Sequence, residues 1–438
     1  MDVKPFRGYR YDRAIVADAG RCVAPPYDVI DDAERQRLYD RSDYNIVRID
    51  AGRVLDSDGS DGNVYTRAAE YLGEWIAQGA LRREDDDVLY AYAQDFYIHA
   101  QAYRRTGFIG LGRLEPYGGG VRPHEKTLSG PKKDRLALTR AIKAQIGQVF
   151  MLYDDPSGDI DAVLAGACQG EELVCHEDEA GVVHRLFAVR APEDIGTIVE
   201  TIRDKEGFIA DGHHRYETAL AYWQESENPA AQWQMMSFVN THNEGLIVLP
   251  THRLVHGVKD FCEPALIRAL EREFDIARLD FDTDDGKAGR EEELFSLLAV
   301  EQETHTNAIG MYFGSGAFYV ATLRDTAAMA GVAPDHSPAW RHLDVAVLHR
   351  LVLEKHLGID EASLAAETHV RYIKDLGSAR WDAIHAVDAG QAQGLFFLNP
   401  TRPEEVEAVA AAGERMPQKS TFFYPKVFSG LVLRRIEQ

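Results

Sequence analysis

A chain of 438 residues with 45% apolar and 27% charged residues has the composition of a globular protein with two or three domains. Its formal net charge of −23, with no visible basic patch or stripe, argues against nucleic acid as a partner. No apolar run is long enough to span a bilayer, the N-terminus has no signal-peptide core and the four cysteines form no Cys-x-x-Cys pair, so we expect a cytoplasmic protein without a membrane partner.

The N-terminal part of the chain alternates strand and helix patterns. Residues 46–49 predict a strand, and a helix is predicted from Thr66 to Gly79, which ends it. Alternating apolar residues at 88–92 and 104–111 predict antiparallel strands. Several sequential strands already exclude a helical bundle.

The middle of the chain continues this alternation. We expect Asp134 to cap a helix that extends to Ile146. Further strands are predicted at 149–153, 234–239 and 246–249, and further helices at 160–168 and 193–203.

The pattern changes at about residue 260, where longer helical stretches begin. Helices are predicted at 263–273, 291–300, 342–356 and 402–413, and strands at 308–313, 317–323 and 395–398. The whole chain therefore predicts an α+β (mixed α/β) fold. A boundary near 257–262 would divide it into an N-terminal and catalytic region, 1–258, and a C-terminal α/β region, 259–438, that completes the pocket or serves assembly.

Residues 208–215, Phe-Ile-Ala-Asp-Gly-His-His-Arg, are the most informative stretch of the sequence. A buried strand ends at the turn signal Asp211-Gly212, and a helical pattern follows at once. A helix N-terminus with a glycine that allows close approach is typical of an anion site, usually for phosphate. Arg215 could hold phosphate oxygens through two donors.

The same turn offers groups for acid–base chemistry and metal binding. Asp211 could bind Mg²⁺ or accept a proton, and His213 and His214 could transfer protons or donate to phosphate. A simpler interpretation is a capped helix with a glycine turn, but capping requires neither histidine nor arginine. A zinc site is disfavoured because adjacent histidines on a helix point in different directions.

Residues 122–127, Arg-Pro-His-Glu-Lys-Thr, form a second candidate. Phosphorylation of an alcohol requires a carboxylate that takes the hydroxyl proton and cations that neutralise the phosphoryl oxygens. Glu125 could be the base, while Lys126 and Thr127 could contact phosphate. The alternative is a solvated charged surface loop.

Residues 419–426 form a third candidate, in which the hydroxyls of Ser420 and Thr421 and the two lysines, Lys419 and Lys426, could hold nucleotide phosphates or a substrate carboxylate. They lack the glycine spacing of a Walker loop, and an ordinary strand end is an equally good interpretation. In a weaker group, Tyr27 and Asp28 follow a stiff proline turn and could line a pocket.

Several common catalytic motifs are missing from the sequence. The sequence contains no Gly-x-Gly-x-x-Gly fingerprint, no Gly-x-Ser-x-Gly elbow and no His-Glu-x-x-His pair. Hydride transfer, serine hydrolysis and zinc proteolysis are therefore disfavoured.

His342 and His349 lie in a predicted helix with an apolar face, which indicates core or surface histidines.

Several of these blocks carry a resemblance to a known family. The chain is identified as a member of bacterial domain-of-unknown-function family 1015, and Asp-Gly-His-His-Arg resembles the signature of SerK-type free serine kinases of the ParB/sulfiredoxin-like superfamily. The blocks lie at 4–8, 24–30, 44–48, 124–127, 212–219, 419–421 and 424–426. The resemblance implies a ParB/sulfiredoxin-like nucleotide-binding core with large insertions and a C-terminal α/β extension.

The resemblance also implies an activity, the phosphorylation of free L-serine to O-phospho-L-serine with ADP or ATP and Mg²⁺. The implied catalytic residues are Glu125, Asp211, His213 and His214, with Asp211 also on the metal. The implied nucleotide and phosphate ligands are Gly212, Arg215, Lys126, Thr127, Lys419, Ser420 and Thr421.

Two other functions stay open. One is a ParB-like regulator that binds nucleotide without amino-acid kinase activity, and the other is a partition-type DNA-binding protein, which the acidic charge disfavours. The donor nucleotide and the acceptor are not fixed by the sequence, and a homodimer is one hypothesis for the assembly.

Overall fold

A computed structural model describes residues 1–98, 100–125 and 129–437, without the side chains of Ser129 and Pro131. The chain forms two compact units. The first comprises Met1–Pro123, Thr127–Ile247 and Pro425–Gln438, and the second comprises His124–Lys126 and Val248–Tyr424. The predicted domain boundary at 258/259 stays a prediction; the units divide near residue 247, and the C-terminal segment returns to the first unit.

The strands follow one another in chain order. They are β1 (Val3–Lys4), β2 (Tyr9–Tyr11), β3 (Leu81–Arg83), β4 (Leu89–Ile98), β5 (Gln101–Arg113), β6 (Val121–Pro123), β7 (Ala144–Gln145), β8 (Val149–Tyr153), β9 (Val174–Glu177), β10 (Val183–Val189) and β11 (Gly207–Asp211). They continue with β12 (Trp233–Asn240), β13 (Ile247–Leu249), β14 (Thr251–Val255), β15 (Phe274–Asp280), β16 (Ala308–Tyr312), β17 (Ala317–Leu323), β18 (Val370–Lys374), β19 (Gly394–Phe397), β20 (Phe422–Tyr424) and β21 (Arg434–Arg435).

The helices alternate with these strands. They are α1 (Asp32–Arg41), α2 (Val47–Asp50), α3 (Val64–Ala77), α4 (Ser129–Ile142), α5 (Asp159–Ala167), α6 (Pro192–Arg203), α7 (His213–Glu225) and α8 (Glu263–Leu270). They continue with α9 (Asp284–Glu303), α10 (Ala327–Val332), α11 (Pro338–Arg341), α12 (Asp344–Val347), α13 (Lys355–Leu357), α14 (Glu361–Ala365), α15 (Ala379–Asp388) and α16 (Pro403–Ala411). A π-helical segment, Leu348–Glu354, lies between α12 and α13. The predicted mixed α/β class is confirmed.

A nine-stranded sheet forms the centre of the first unit, in the order β6-β11-β8-β12-β5-β4-β10-β9, with β1 also paired to β5. The β11–β6 and β12–β8 pairs are parallel, whereas β4, β5 and β10 pair antiparallel. Phe108 and Phe238 are register partners on β5 and β12, and their rings stack with centroids 4.8 Å apart. Such a buried cross-strand aromatic pair stabilises the sheet at its middle.

A six-stranded antiparallel sheet organises the second unit, in the order β15-β17-β16-β19-β14-β18. Helix α9 packs against it through Leu294 and Leu298, one helical turn apart and both fully buried. Seven of the eleven residues from α12 through the π-helical segment are apolar, and all seven belong to the core of this unit.

Three local predictions are wrong. Helix α4 begins at Ser129, so Asp134 lies inside this helix and does not cap it. The predicted strand at 46–49 is the short helix α2, because the Asn45 side chain accepts a hydrogen bond from the Val47 N–H at 3.0 Å and starts a helical turn. The helix expected to reach Ile146 ends at Ile142, since Lys143 has a φ of 47° and interrupts it before β7. In the described part of the chain, no helix is both long and apolar enough to cross a membrane.

Candidate functional site

The predicted strand, turn and helix at 207–225 are present in the structure. Strand β11 ends at Asp211, Gly212 has φ 87° and ψ 29°, and α7 begins at His213. A side chain at Gly212 would be strained in this left-handed conformation, and its Cβ would meet the Val149 Cα at 3.4 Å. Because the N-cap residue is a glycine, it offers no side-chain oxygen to the first turn of α7, so this helix end is suited to an anion.

Asp211 does not cap α7 but forms an ion pair. Its Oδ1 accepts a hydrogen bond from the Gly212 N–H at 2.8 Å, and its Oδ2 lies 2.6 Å from Lys426 Nζ. Burial raises the pKa of Asp211, but Lys426, then Arg215 and the Gly212 N–H, outweigh burial and hold the pKa well below its usual range. Asp211 is therefore an ionised carboxylate at neutral pH.

The backbone around Lys426 is held from the centre of the sheet. The buried Arg105 donates to the carbonyl of Pro425, and Gln94 Nε2 donates to the carbonyl of Lys426 at 2.9 Å. Arg105 Nε in turn donates to Gln94 Oε1 at 3.0 Å. These contacts place the Lys426 ammonium beside the turn. The sequence predicted Lys426 as one of two lysines that could hold phosphate, but it did not predict the ion pair with Asp211.

Arg215 reaches back from the first turn of α7 towards the segment before β8. Its Nη1 donates to the Gln148 carbonyl at 3.0 Å, while its Nη2 is buried and has no hydrogen-bond partner among the described residues. Gly147 permits this approach, because a Cβ there would lie 3.4 Å from the Arg215 Cζ. A buried guanidinium nitrogen without an acceptor is costly, and a bound anion would supply that acceptor.

A second arginine lies close to the first. Arg135 forms an ion pair with the buried Asp50 at 2.9 Å, and its guanidinium stacks 4.1 Å from the centroid of the Tyr27 ring. Arg215 lies 5.7 Å from the same centroid. Burial lowers the pKa of Arg135, but Asp50 and Asp134 outweigh burial and raise it. Both guanidiniums border a cavity of about 60 Å³ in the first unit.

The two histidines of the turn differ in their surroundings. His213 is buried in the first turn of α7. Burial lowers the pKa of His214, and the nearby Lys132 lowers it further, although Glu217 opposes both. Lys132 Nζ lies 2.9 Å from Glu217 Oε2. At neutral pH, His214 is therefore a neutral imidazole, suited to donate one hydrogen bond or to accept a proton.

The predicted residues Glu125, Ser420 and Thr421 belong to the second unit. Glu125 forms a parallel bridge with Met416, and the neighbouring His124 Nε2 lies 2.9 Å from Thr421 Oγ1. Ser420 Oγ donates to the carbonyl of Pro417 at 2.5 Å.

Lys419 also belongs to the second unit. It has a φ of 54°, and its carbonyl accepts from Arg253 Nη2 at 3.1 Å. Lys126 and Thr127 lie outside the described residues. The roles that the sequence analysis assigned to these six positions, Glu125, Lys126, Thr127, Lys419, Ser420 and Thr421, stay predictions.

In the described residues, no group of three or more His, Cys, Asp or Glu side chains could hold a metal ion. Asp211 is the carboxylate at the turn, and Lys426 already occupies one of its oxygens. This donor set is too small for a site made of protein ligands alone. It fits Mg²⁺ only if phosphate oxygens and water complete the coordination. Many nucleotide sites hold the ion in this way, with one or two carboxylates from the protein.

The chain matches the family described as a protein of unknown function, DUF1015, over residues 3–346. It therefore belongs to the DUF1015 family, as the sequence blocks predicted. No curated protein matches this chain.

Among solved structures, a free serine kinase mutant in complex with ADP is similar at 12% identity and a TM-score of 0.33, covering 70% of this chain and 87% of that one. A conserved hypothetical protein from Pyrococcus furiosus has 14% identity and a TM-score of 0.32, covering 71% and 91%. SbnI with a C-terminal truncation, from Staphylococcus aureus, has 10% identity and a TM-score of 0.30, covering 73% and 86%.

Proposed function

We propose that this protein is a nucleotide-dependent phosphotransferase that phosphorylates the hydroxyl group of free L-serine. One observation carries the proposal: the Gly212 turn at the start of α7 lies beside Arg215, whose buried Nη2 has no acceptor among the described residues. A phosphate group would accept from that nitrogen and from the helix N-terminus at once.

The described groups around the turn are suited to stabilising a transferring phosphoryl group. Arg215 and Lys426 carry positive charge at the turn, and the neutral His214 can donate a hydrogen bond without adding charge. Phosphoryl transfer depends mainly on positioning and on neutralising the phosphoryl oxygens. The terminal phosphoryl group would leave ADP or ATP, form a bond to the serine oxygen and release AMP or ADP.

Asp211 is the proposed carboxylate ligand of Mg²⁺. Its ionised state suits this role, and Lys426 would keep it ionised when no ion is bound. Bound Mg²⁺ would add positive charge at the phosphate oxygens.

The base that takes the serine hydroxyl proton is proposed to be Glu125. This assignment rests on the family resemblance of the His-Glu block, and it requires its own test, separate from the test of the phosphate site. The proposed roles of Lys126, Thr127, Lys419, Ser420 and Thr421 in nucleotide binding have the same basis.

A phosphate-transfer assay tests the proposal. The purified full-length chain would be incubated with Mg²⁺, either ADP or ATP, and a panel of free amino acids, and products would be identified by mass spectrometry. O-phosphoserine that forms only with serine and one nucleotide is the expected result. Nucleotide binding by calorimetry without any phosphorylated product would refute the kinase and support a regulator that only binds nucleotide.

A further inference from the structure

A second cavity, of about 90 Å³, lies wholly within the second unit. The π-helical segment Leu348–Glu354 contributes His349, Arg350 and Glu354 to its wall. Apolar side chains, among them Trp340, Leu364 and Met416, also line this cavity. π-Helical turns are rare, and they occur frequently at functional sites.

His349 is the polar group of this cavity that carries the argument. It is 7% exposed, and Arg253 Nε donates a hydrogen bond to its Nε2 at 3.2 Å. Since Nε2 is the acceptor, the proton of the neutral imidazole is on Nδ1. Nδ1 makes no hydrogen bond to any residue that the structure describes, so this donor is available to an acceptor in the cavity.

The positive charge of Arg253 strengthens His349 Nδ1–H as a hydrogen-bond donor. The guanidinium is fully buried, and its other contacts are the carbonyls of Thr251, Gln418 and Lys419 and the ring of Tyr372, whose centroid lies 4.7 Å away. Within the described chain, no carboxylate lies within ion-pair distance of Arg253. A buried cation without a counter-charge favours an anion nearby, and its hydrogen bond to Nε2 makes the Nδ1–H a stronger donor.

The charges on the rim of the cavity do not cancel this effect. Arg350 Nη1 and Glu354 Oε2 lie 2.5 Å apart and largely neutralise one another. Arg415 and Glu361 add one charge of each sign to the lining. Because these rim charges cancel in pairs, the positive charge of Arg253, next to His349, is the net charge at the cavity.

The apolar wall limits the kind of ligand. Trp340 is held in place by a hydrogen bond from its Nε1 to the Arg415 carbonyl at 3.1 Å and by the His336 ring stacked on it at 3.8 Å. Leu364 and Met416 are nearly fully buried beside it. We propose that this cavity binds a small organic carboxylate, whose anionic group accepts from His349 Nδ1–H and whose compact apolar body packs against Trp340, Leu364 and Met416.

Calorimetric titration of the full-length protein with acetate, isovalerate and benzoate, each beside its neutral primary amide, tests this site. Isovalerate or benzoate should bind at least tenfold more tightly than its amide, and acetate should bind more weakly than both acids. Equal affinity for acid and amide, or no binding of any acid at millimolar concentration, would overturn the proposal.

Variants locate the binding. Leu364→Trp fills the cavity and should abolish binding of the acid, whereas Val300→Trp, on the exposed face of α9, adds the same side chain elsewhere and should leave binding unchanged. His349→Phe removes the donor and should weaken binding at least tenfold, while His349→Asn keeps an amide donor and should weaken it less. Full binding by Leu364→Trp would contradict the site even if the His349 variants do not fold.

Discussion

Arg215 Nη1 donates to the backbone carbonyl of Gln148 at 3.0 Å, and this single bond fixes the guanidinium beside the Gly212 turn with its second nitrogen buried. The bond joins the first turn of α7 to the segment that leads into β8. The first turn of α7 and the segment before β8 therefore form a preorganised anion site together.

Substitution of Arg215 tests that site. We expect Arg215→Met to reduce O-phosphoserine formation by about 10²–10³-fold, because a preorganised donor to the transferring group is lost. Arg215→Lys should recover only part of the activity, since an ammonium cannot reproduce the two-donor fork. The measurement is the initial rate by mass spectrometry.

A matched control for Arg215 is Arg113→Met. Arg113 forms an ion pair with Asp2 at 3.2 Å, and both side chains are half exposed. Its loss should leave the initial rate within a factor of two. Equal losses in both variants would show that Arg215 has no particular part in the reaction.

Gly212→Ala should destabilise the fold at the turn. The φ of 87° and the Val149 Cα at 3.4 Å lead us to expect a decrease of about 1–2 kcal/mol in the free energy of unfolding. Gly196→Ala is the control, because Gly196 lies inside α6 with open space around it and should gain about 0.5–1 kcal/mol. Urea denaturation of both variants gives the comparison, and a stabilised Gly212→Ala would contradict the strained turn.

Lys426→Met should weaken the fold and change its pH dependence. In the unaltered protein, the depressed pKa of Asp211 contributes stability above its ordinary pKa of 3.8, and this contribution is lost as the pH falls below 3.8 towards the folded pKa. Without Lys426, only Arg215 and the Gly212 N–H still offset the burial of the carboxylate, and we expect a loss of about 1–2 kcal/mol at pH 7 for this partly exposed pair.

The double variant Asp211→Asn/Lys426→Met checks that interpretation. It removes both charges together, so its free energy of unfolding at pH 7 should recover most of the loss caused by Lys426→Met alone. Additive losses from the two substitutions would show that the ion pair contributes nothing to stability.

The sequence predicted the parts of this site that are contiguous. The strand, glycine turn and helix follow one another within 207–225, so local patterns were sufficient. The residues Asp50 and Arg135 could not be assigned, because they come from distant segments and ordinary charged residues give no local signal. Lys426 was predicted as a phosphate ligand, but its ion pair with Asp211, 215 residues away, gives no local signal either. The error at 46–49 has a similar origin, since a short stretch with three buried apolar residues is compatible with either a strand or a short helix.

His176 predicts an acid sensitivity of the first unit. Burial, together with the nearby Arg41 and His184 and against the opposing Asp178, lowers its pKa to about 4. Because the unfolded chain would bind a proton at about pH 6.5, stability is complete above that pH and is lost as the pH falls from 6.5 towards 4. The loss should be on the order of 1–2 kcal/mol after allowance for partial exposure.

His176→Gln removes this titrating group. The slope of the free energy of unfolding between pH 6.5 and 4 should become shallower than in the unaltered protein, as measured by urea denaturation at several pH values. An unchanged slope would assign the acid sensitivity to other groups, among which the buried His184 beside Asp178 is the nearest.

Glu125→Gln tests the proposed base by itself. Gln cannot accept the serine hydroxyl proton, so we expect kcat to fall by about 10²–10⁴-fold while nucleotide affinity by calorimetry stays the same. Glu407→Gln, at an exposed position in α16 of the same unit, loses the same charge and should retain full activity. The phosphate site at Asp211–Arg215 is tested separately, so an active Glu125→Gln variant would contradict only the assignment of the base. The alternative candidates for the base would then be the carboxylates near His214, namely Glu217 and Asp28.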